Sequence, residues 1–448
     1  MFNRRLTALL QVIFLLLVVL SLLVGLSYFT TDSSFGFGRV QSLVHSWPNH
    51  GSANDRVGNG SASTVPEKEP SSKWLEDAPA YINAIMNPED TTFNRLECPT
   101  LSGDRYTYLR DNSSNAQGFR VRPKYFFALD LYNCRHILPR LFGSIVEAMR
   151  FLGPESCALS VVEGRSTDGT YEVLKLLQPE IENMGAKYIL QTNGIDPTGT
   201  GVNRIQALAD LRNQALQPLV DHPDQFSPDT TVVFLNDIVP CMEDLLELIH
   251  QRFYQHADMT CAMDWTYVGK DPTFYDIWIA RGMNGDSFFD IPADGNWNSA
   301  WNLFWNNPES HDRLMFGKSF QVFSCWNGAT AFTAKPFFEH KLKFRSSFEQ
   351  ECYQGEPQLF CKEMWYHGYG KIAVVPTVNV EYNDAAGKKI KDLKGYVSKL
   401  VESEQQDDES LHIKWEPNPP ENIKCMASYA NQTWCHWDEQ LAENGVWA

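Results

Sequence analysis

The sequence predicts an α/β protein, a mostly parallel sheet flanked by helices, carried behind an N-terminal transmembrane helix. Three observations predict it. Short apolar runs of β character alternate with segments of helical spacing between residues 126 and 256. The strongest of these runs, 231–235, is bracketed by Pro228 on one side and by Asn236, Asp237 and Pro240 on the other. An almost unbroken apolar stretch, 6–29, follows Arg4 and Arg5. Parallel strands need crossover connections, and right-handed crossovers gather the ligand-receiving strand ends on one rim.

Residues 6–29 are long enough for a helix to cross the roughly 30 Å hydrocarbon core of a bilayer. Backbone amides in lipid must be satisfied within the segment, so the span has to be helical. Arg4 and Arg5 favour a cytosolic tail at 1–5, which makes everything from Thr30 onward lumenal, behind a secretory-pathway membrane. The alternative is a cleaved signal peptide. Its apolar region would be unusually long, and no small-x-small site follows Tyr28 and Phe29.

Residues 30–73 are rich in Ser, Gly, Asn and Pro and cannot bury enough surface to offset their ordering entropy, so they read as a flexible stem. All ten cysteines lie at or beyond Cys98, where an oxidising lumen makes disulfides the expectation, in a pairing that sequence leaves open. Cys352 with Cys361, and Cys425 with Cys435, lack CxxC spacing and an accompanying histidine pair, which argues against a structural zinc site. Acceptor sequons stand at Asn59, Asn112 and Asn431. A net charge of −17 repels phosphate backbones and excludes nucleic acid as a natural partner.

The main domain is placed at 74–385. A helical pattern runs from Trp74 to Met86, and Arg95-Leu96-Glu97-Cys98-Pro99 brings a cysteine positioned to tether this segment to the domain. Strands follow at 126–131, 158–162, 188–191 and 231–235, separated by helices at 136–152, 170–177 and 204–219. A helix at 242–256 and strands at 259–263 and 371–380 complete the pattern, with Pro376 marking an edge or a bulge in the last. Residues 386–448 read as a charged C-terminal extension.

The candidate chemistry lies at strand ends. Glu163, Arg165 and Asp168 occupy the loop where the second strand meets a helix, and their side chains suit a base or ribose. The plainer reading is an Asp-Gly turn capped by Thr170. The loop has neither GxGxxG nor GxxxxGK[ST] spacing, against dinucleotide oxidoreductases and P-loop enzymes. Asp237, after the strongest strand, is the expected metal ligand, because a rigidly held carboxylate can bind a hard divalent cation that grips a diphosphate. The plainer reading is an ordinary turn residue after a strand, and because Asn236 and Ile238 flank it the two-carboxylate DxD pattern is incomplete.

Asp264 ends a strand before Trp265, where it meets a sugar or merely caps the strand. Aromatic faces gather at 275–282 and 297–305, and they suit either sugar stacking or core packing. Trp326 and Asn327, in Cys325-Trp326-Asn327-Gly328, lie in a stretch small enough to approach a donor sugar, and Arg204 at the head of its helix is grouped with the nucleotide sugar. Among Glu349, Glu351 and Glu356, the last is held between Gly355 and Pro357 and is the expected catalytic carboxylate, with Asp264 as the second. His367, which precedes a strand, completes the metal shell with Asp237 or contacts phosphate, or is simply a satisfied loop histidine. No GxSxG elbow supports a serine nucleophile.

Taken together, Arg95-Leu96-Glu97-Cys98-Pro99, the loop from Val162 to Thr170, Phe234-Leu235-Asn236-Asp237-Ile238, Cys325-Trp326-Asn327-Gly328 and Gly355-Glu356-Pro357-Gln358-Leu359-Phe360-Cys361 resemble the fungal capsule-associated α-1,3-mannosyltransferase family. The resemblance implies a type II Golgi enzyme with a GT-A-like, Rossmann-type sheet. It also implies transfer of mannose from GDP-mannose to a mannose-containing glycan, with retention and with help from Mn²⁺ or Mg²⁺. Glu163 and Asp168 would lie near the nucleotide and Asp237 near the metal. The competing class is a non-catalytic glycan-binding factor, or one for assembly or export of capsule or cell-wall polysaccharide, with the same fold.

Overall fold

The structure, a computed structural model, describes residues 70–101, 103–110, 122–402, 404 and 408–444. The apolar stretch at 6–29, nearly all of the predicted stem, and the sequons at Asn59 and Asn112 lie outside the described residues. Among those described, no helix is long and apolar enough to cross a membrane. The chain divides into two units, one of Met1–Ser63 with Tyr267–Asp271, the other of Thr64–Thr266 with Pro272–Ala448. Of the first, only the short stretch Tyr267–Asp271 is described; the site belongs to the second.

Helix α1 (Ala78–Met86) leads into β1 (Tyr125–Leu131), α2 (Leu138–Leu152), β2 (Cys157–Gly164), α3 (Thr170–Asn183), β3 (Lys187–Asn193), α4 (Arg204–Asp221) and β4 (Thr231–Leu235). Then come α5 (Met242–Tyr254), β5 (Met259–Val268), β6 (Asp271–Phe274), β7 (Arg281–Gly282), α6 (Pro308–Met315), β8 (Phe320–Ser324) and β9 (Ala329–Thr333). Helix α7 (Glu356–Tyr366), β10 (Ile372–Val380), α8 (Asp384–Lys394) and the hairpin β11 (Asn422–Ser428) with β12 (Asn431–His436) close the chain.

The main sheet runs β3-β2-β1-β4-β9-β5-β10-β8-β7, with β6 beside β5. Strand β1 is parallel to β2 and β4, β2 to β3, and β5 to β10, whereas β9 is antiparallel to both β4 and β5. The mostly parallel α/β expectation holds. The inserted β9 and the antiparallel pairs of β8 with β10 and β7 were not anticipated. From β1 the chain steps outward through β2 to β3, then returns to place β4 on the other side of β1. That reversal opens a crevice beyond the carboxyl ends of β1 and β4, where open α/β sheets receive ligands.

Both faces of the sheet are covered, which is why its strands read as continuous apolar runs. Phe126 and Ala128 of β1 and Val232 and Phe234 of β4 pack with Ala209, Ala215 and Leu216 of α4 and Phe360 of α7. The alternate residues Phe127, Leu129, Val233 and Leu235 face Leu141 and Ile145 of α2, Leu177 of α3 and Leu245 of α5.

Disulfides join Cys98 to Cys241, Cys261 to Cys325 and Cys352 to Cys425. The first ties the Arg95–Pro99 segment to the residue preceding α5, the tether that the sequence allowed; Cys134, Cys361 and Cys435 are free thiols. Pro376 sits in an interior strand, and the pairing of β10 with β5 shifts register between Val374 and Asn379, so the proline marks a bulge rather than an edge. The C-terminal segment packs on the domain. Trp278 Nε1 donates to the Met426 carbonyl at 2.6 Å, buried Arg281 Nε donates to that of Lys424 at 2.8 Å, and the Cys352–Cys425 bridge holds the hairpin.

Candidate active site

Asp237 stands at the mouth of the crevice because its neighbours bind the backbone around it. The Asn236 amide donates to the Gly328 carbonyl at 2.9 Å, its Oδ1 accepts the Trp326 indole N–H at 3.0 Å, and the Ile238 amide donates to the Asn236 carbonyl at 2.9 Å. Asp237 itself is exposed at this turn. Its negative charge reaches across the crevice. Burial first, then Asp237, pushes the Cys134 thiol beyond the end of β1 upward. Burial, Asp264, Asp276 and Asp237, in that order, push the Tyr275 phenol up to about 12, while Arg204 pulls it back. Asp237, Asp264, Asp276 and Arg204 therefore all bear on Tyr275.

Behind Tyr275 lies an acidic pair. Fully buried Asp264 accepts the Tyr382 hydroxyl at 2.5 Å and the Asp276 amide at 3.3 Å. Asp276 in turn accepts the Asn327 amide at 2.9 Å, and Asn327 Nδ2 donates to the Ala262 carbonyl at 2.8 Å. Asn327 and Gly328 both have positive φ, 56° and 77°. A Cβ at Gly328 would lie 3.1 Å from Ile238, 3.3 Å from Asp264 and 3.4 Å from Val380, so glycine is required where these strand ends converge. Burial, and for Asp264 the charge of Asp276, raises both carboxyls; Asp276 titrates at about 6.

This raised value sets a pH dependence. A carboxyl raised in the folded state holds a proton that the unfolded chain has released, so its contribution favours folding below about pH 4 and is lost as pH rises through about 6. In urea unfolding, Asp276→Asn should therefore gain stability relative to the wild type between about pH 4.5 and 7. A difference that stays flat across that window excludes the shared burial.

The third layer joins two helices. Arg212 of α4, 7% exposed, donates from Nε to Glu356 Oε1 at 2.8 Å. Its guanidinium lies 4.4 Å from the Trp326 ring centroid and 3.8 Å from Asp130 at the end of β1. Glu356 is the first residue of α7, where the helix dipole favours an anion. Burial raises the Asp130 carboxyl, and Arg212 opposes the rise. Arg204, exposed at the head of α4, also lowers the Tyr353 phenol against the effect of burial, so its charge faces this side of the crevice.

The remaining sequence candidates fall around this centre. Glu163 is buried and accepts the Ser166 amide at 2.6 Å. Arg165 turns toward Asp196, at 3.0 Å, and lies 4.9 Å over the Tyr132 ring. Asp168 accepts the Arg135 amide at 3.0 Å and the Thr170 hydroxyl at 2.7 Å, which fits the capped turn. Trp326 and Asn327 lie in the centre, as do Glu356 and Asp264.

His367 is a correction. It caps the C-terminal end of α7, the opposite end of that helix from Glu356, and stacks on His340 at 4.3 Å. It precedes the amino end of β10, whereas Asp237 follows the carboxyl end of β4. It therefore cannot complete a metal shell with Asp237. Sequence reasoning missed Arg212, Asp130, Asp276 and Tyr382. Only Asp276, inside the flagged aromatic segment, carried a signal.

Among the described residues no three His, Cys, Asp or Glu side chains form a ready metal cage. The exposed carboxylate of Asp237 nevertheless fits a small divalent cation, which is commonly held by one or two carboxylates together with substrate phosphates and water.

The family described as cryptococcal mannosyltransferase 1 matches residues 124–363, from β1 into α7. The alpha-1,3-mannosyltransferase CMT1 of Cryptococcus neoformans var. neoformans is 31% identical over 381 residues, which cover 80% of each protein. Among solved structures, TarS of S. aureus matches with a TM-score of 0.34 at 14% identity, covering 64% of this chain and 68% of its own. The mannosyltransferase PcManGT from Pyrobaculum calidifontis, in complex with GDP-Man and Mn²⁺, matches with a TM-score of 0.34 at 12% identity, covering 69% of this chain and 67% of its own. GalNAc-T7 with UDP, GalNAc and Mn²⁺ matches at 0.38 and 13% identity, covering 63% of this chain and 48% of its own. Likeness this loose carries no inference about the site. The sequence relationships are of another order, and they establish that the chain belongs to the cryptococcal mannosyltransferase 1 family and is a glycosyltransferase.

Proposed function

We propose that the chain transfers mannose from GDP-mannose to a hydroxyl of a mannose-containing glycan, forming an α-1,3 linkage with retention, at a Golgi or other secretory-pathway membrane into which residues 6–29 anchor it. The observation that carries the reading is the exposed carboxylate of Asp237 at the topological reversal, backed by the buried Asp264, Asp276 and Glu356. A Mn²⁺ or Mg²⁺ ion held by Asp237 would supply Lewis-acid stabilisation of the departing diphosphate.

The chain's own residues do the rest. Asn236 and Trp326 hold the Asp237 turn, Arg204 offers a cation to a phosphate or sugar hydroxyl, and the Tyr275 phenol stays protonated as a hydrogen-bond donor. Arg212 sets the orientation of Glu356 at the foot of the crevice, where its carboxylate can steady positive charge on the sugar ring. Retention then follows if the acceptor hydroxyl attacks on the leaving-group face.

The test is thermal unfolding of the full chain with GDP and Mn²⁺. A ligand of the native state at about 100 times its Kd contributes about 2.7 kcal/mol, a rise of a few degrees in Tm. The expected result is a rise with GDP plus Mn²⁺ that EDTA removes. An equal rise in EDTA rejects the role of the metal, and a rise with UDP but not GDP rejects the donor.

A further inference from the structure

We propose that Trp74 is a positioning residue for the donor: the segment joining the N-terminal residues to the domain ties down the loop beside the nucleotide crevice. The inference rests on reading that crevice as the donor site.

The loop after β2 has little regular structure of its own between Gly164 and Thr170, and besides the Glu163 bond to the Ser166 amide and the Arg165–Asp196 pair, three sets of contacts hold it. Asn133, beyond the end of β1, gives its amide to Ser166 Oγ and takes the Thr167 amide on Oδ1, both at 2.9 Å. Asp168 accepts the Arg135 amide at 3.0 Å. The third set comes from well outside the sheet. Trp74, in the short helix Ser72–Leu75, donates its indole N–H to the Thr167 carbonyl at 3.1 Å, and the Ser71 amide donates to Glu172 Oε1 at 2.8 Å in the first turn of α3.

The fit around Trp74 is specific. Gly169 has φ 99°, and a Cβ there would meet Trp74 Cγ at 3.0 Å and Arg135 Cδ at 3.1 Å. The Arg135 guanidinium lies 4.5 Å from the Trp74 centroid and 4.6 Å from that of Tyr81, and it pairs with Asp77 at 2.8 Å. The residues after β1 and the loop after β2 are thus locked to each other and to the incoming segment. Cys134 lies between Asn133 and Arg135, past the end of β1 on the same rim as Asp237, since Leu129 of β1 is in register with Leu235 of β4. A loosened Trp74 would disorder the wall of the crevice opposite Asp237 without touching a reacting atom.

The experiment compares the wild type with Trp74→Ala and Trp74→Phe in the full chain, reading Tm, donor KM and kcat, and amide hydrogen exchange across 163–170. Loss of the hydrogen bond and ring cover should raise donor KM about tenfold and leave kcat within about twofold. Trp74→Phe, which keeps a ring but no N–H, should raise it about threefold. Exchange at Ser166 and Thr170 should quicken in both. A Tm loss with unchanged donor KM reduces Trp74 to a structural strut and overturns the proposal, as does unchanged exchange. If the wild type itself binds no nucleoside diphosphate in a titration, the donor reading has failed, and the proposal fails with it.

Discussion

Asp237→Asn is expected to lower the rate of mannosyl transfer by about 10²–10³-fold, the range seen when one preorganised electrostatic contact to a developing charge is removed. The fold should not notice. Asp237 is exposed, and the turn that presents it is held by backbone and side-chain bonds of Asn236, Trp326, Gly328 and Ile238. Surface substitutions of this kind change stability by about 0.5 kcal/mol or less, so Tm should stay within a degree or two. The same variant should lose the metal-dependent part of the GDP thermal shift. Full activity in Asp237→Asn, measured as GDP release with GDP-mannose, removes this residue from the site. Full stability with lost activity separates it from the buried carboxylates, whose removal disturbs packing as well.

The parallel half of the sheet was legible because β1, β2 and β4 are buried almost throughout and the crossover segments between them carry apolar residues at helical spacing. Those periods are local, and they mark β1 to β4 to within a few residues. Strands β8 and β9 were not legible. Their pairing partners lie far away in sequence, and a run such as Ala329–Thr333 gains strand character only from the slot between β4 and β5.

The site divides in the same way. The place of Asp237 on the sheet rim was legible because a carboxylate after a strong strand lies on a predictable edge. His367 was misplaced although the same rule excluded it, since it precedes a strand rather than following one. Arg212 gave no signal at all. It is one basic residue among several in an amphipathic helix, and its partner Glu356 is 144 positions away. Asp264 was legible as a strand end, but its coupling to Asp276 depends on a turn twelve positions long that brings the Asp276 amide onto its own carboxylate.

Glu356 is where stability and catalysis should come apart most instructively. Its carboxylate is 2% exposed and receives Arg212 Nε, so Glu356→Ala leaves a buried guanidinium whose nearest other carboxylate, Asp130, is 3.8 Å away. Breaking a buried pair from one side costs about 3–5 kcal/mol. A large fall in the urea midpoint is therefore expected, with loss of transfer that reveals nothing about mechanism. Glu356→Gln keeps an oxygen for the Arg212 Nε–H and should retain most of that stability. If the charge serves only to hold Arg212 against Trp326, the Gln variant keeps its activity. If it steadies the sugar in the transition state, transfer falls by about 10²-fold or more in a protein that still unfolds cooperatively. The double variant Arg212→Met with Glu356→Leu supplies the complementary comparison. Replacing both ions by apolar side chains of similar size removes the unpaired charge, so it should recover much of the stability lost in Glu356→Ala while transfer stays abolished. Recovery of both together would mean that this buried pair is architecture alone, and that the charge acting on the sugar comes from Asp264 or Asp276.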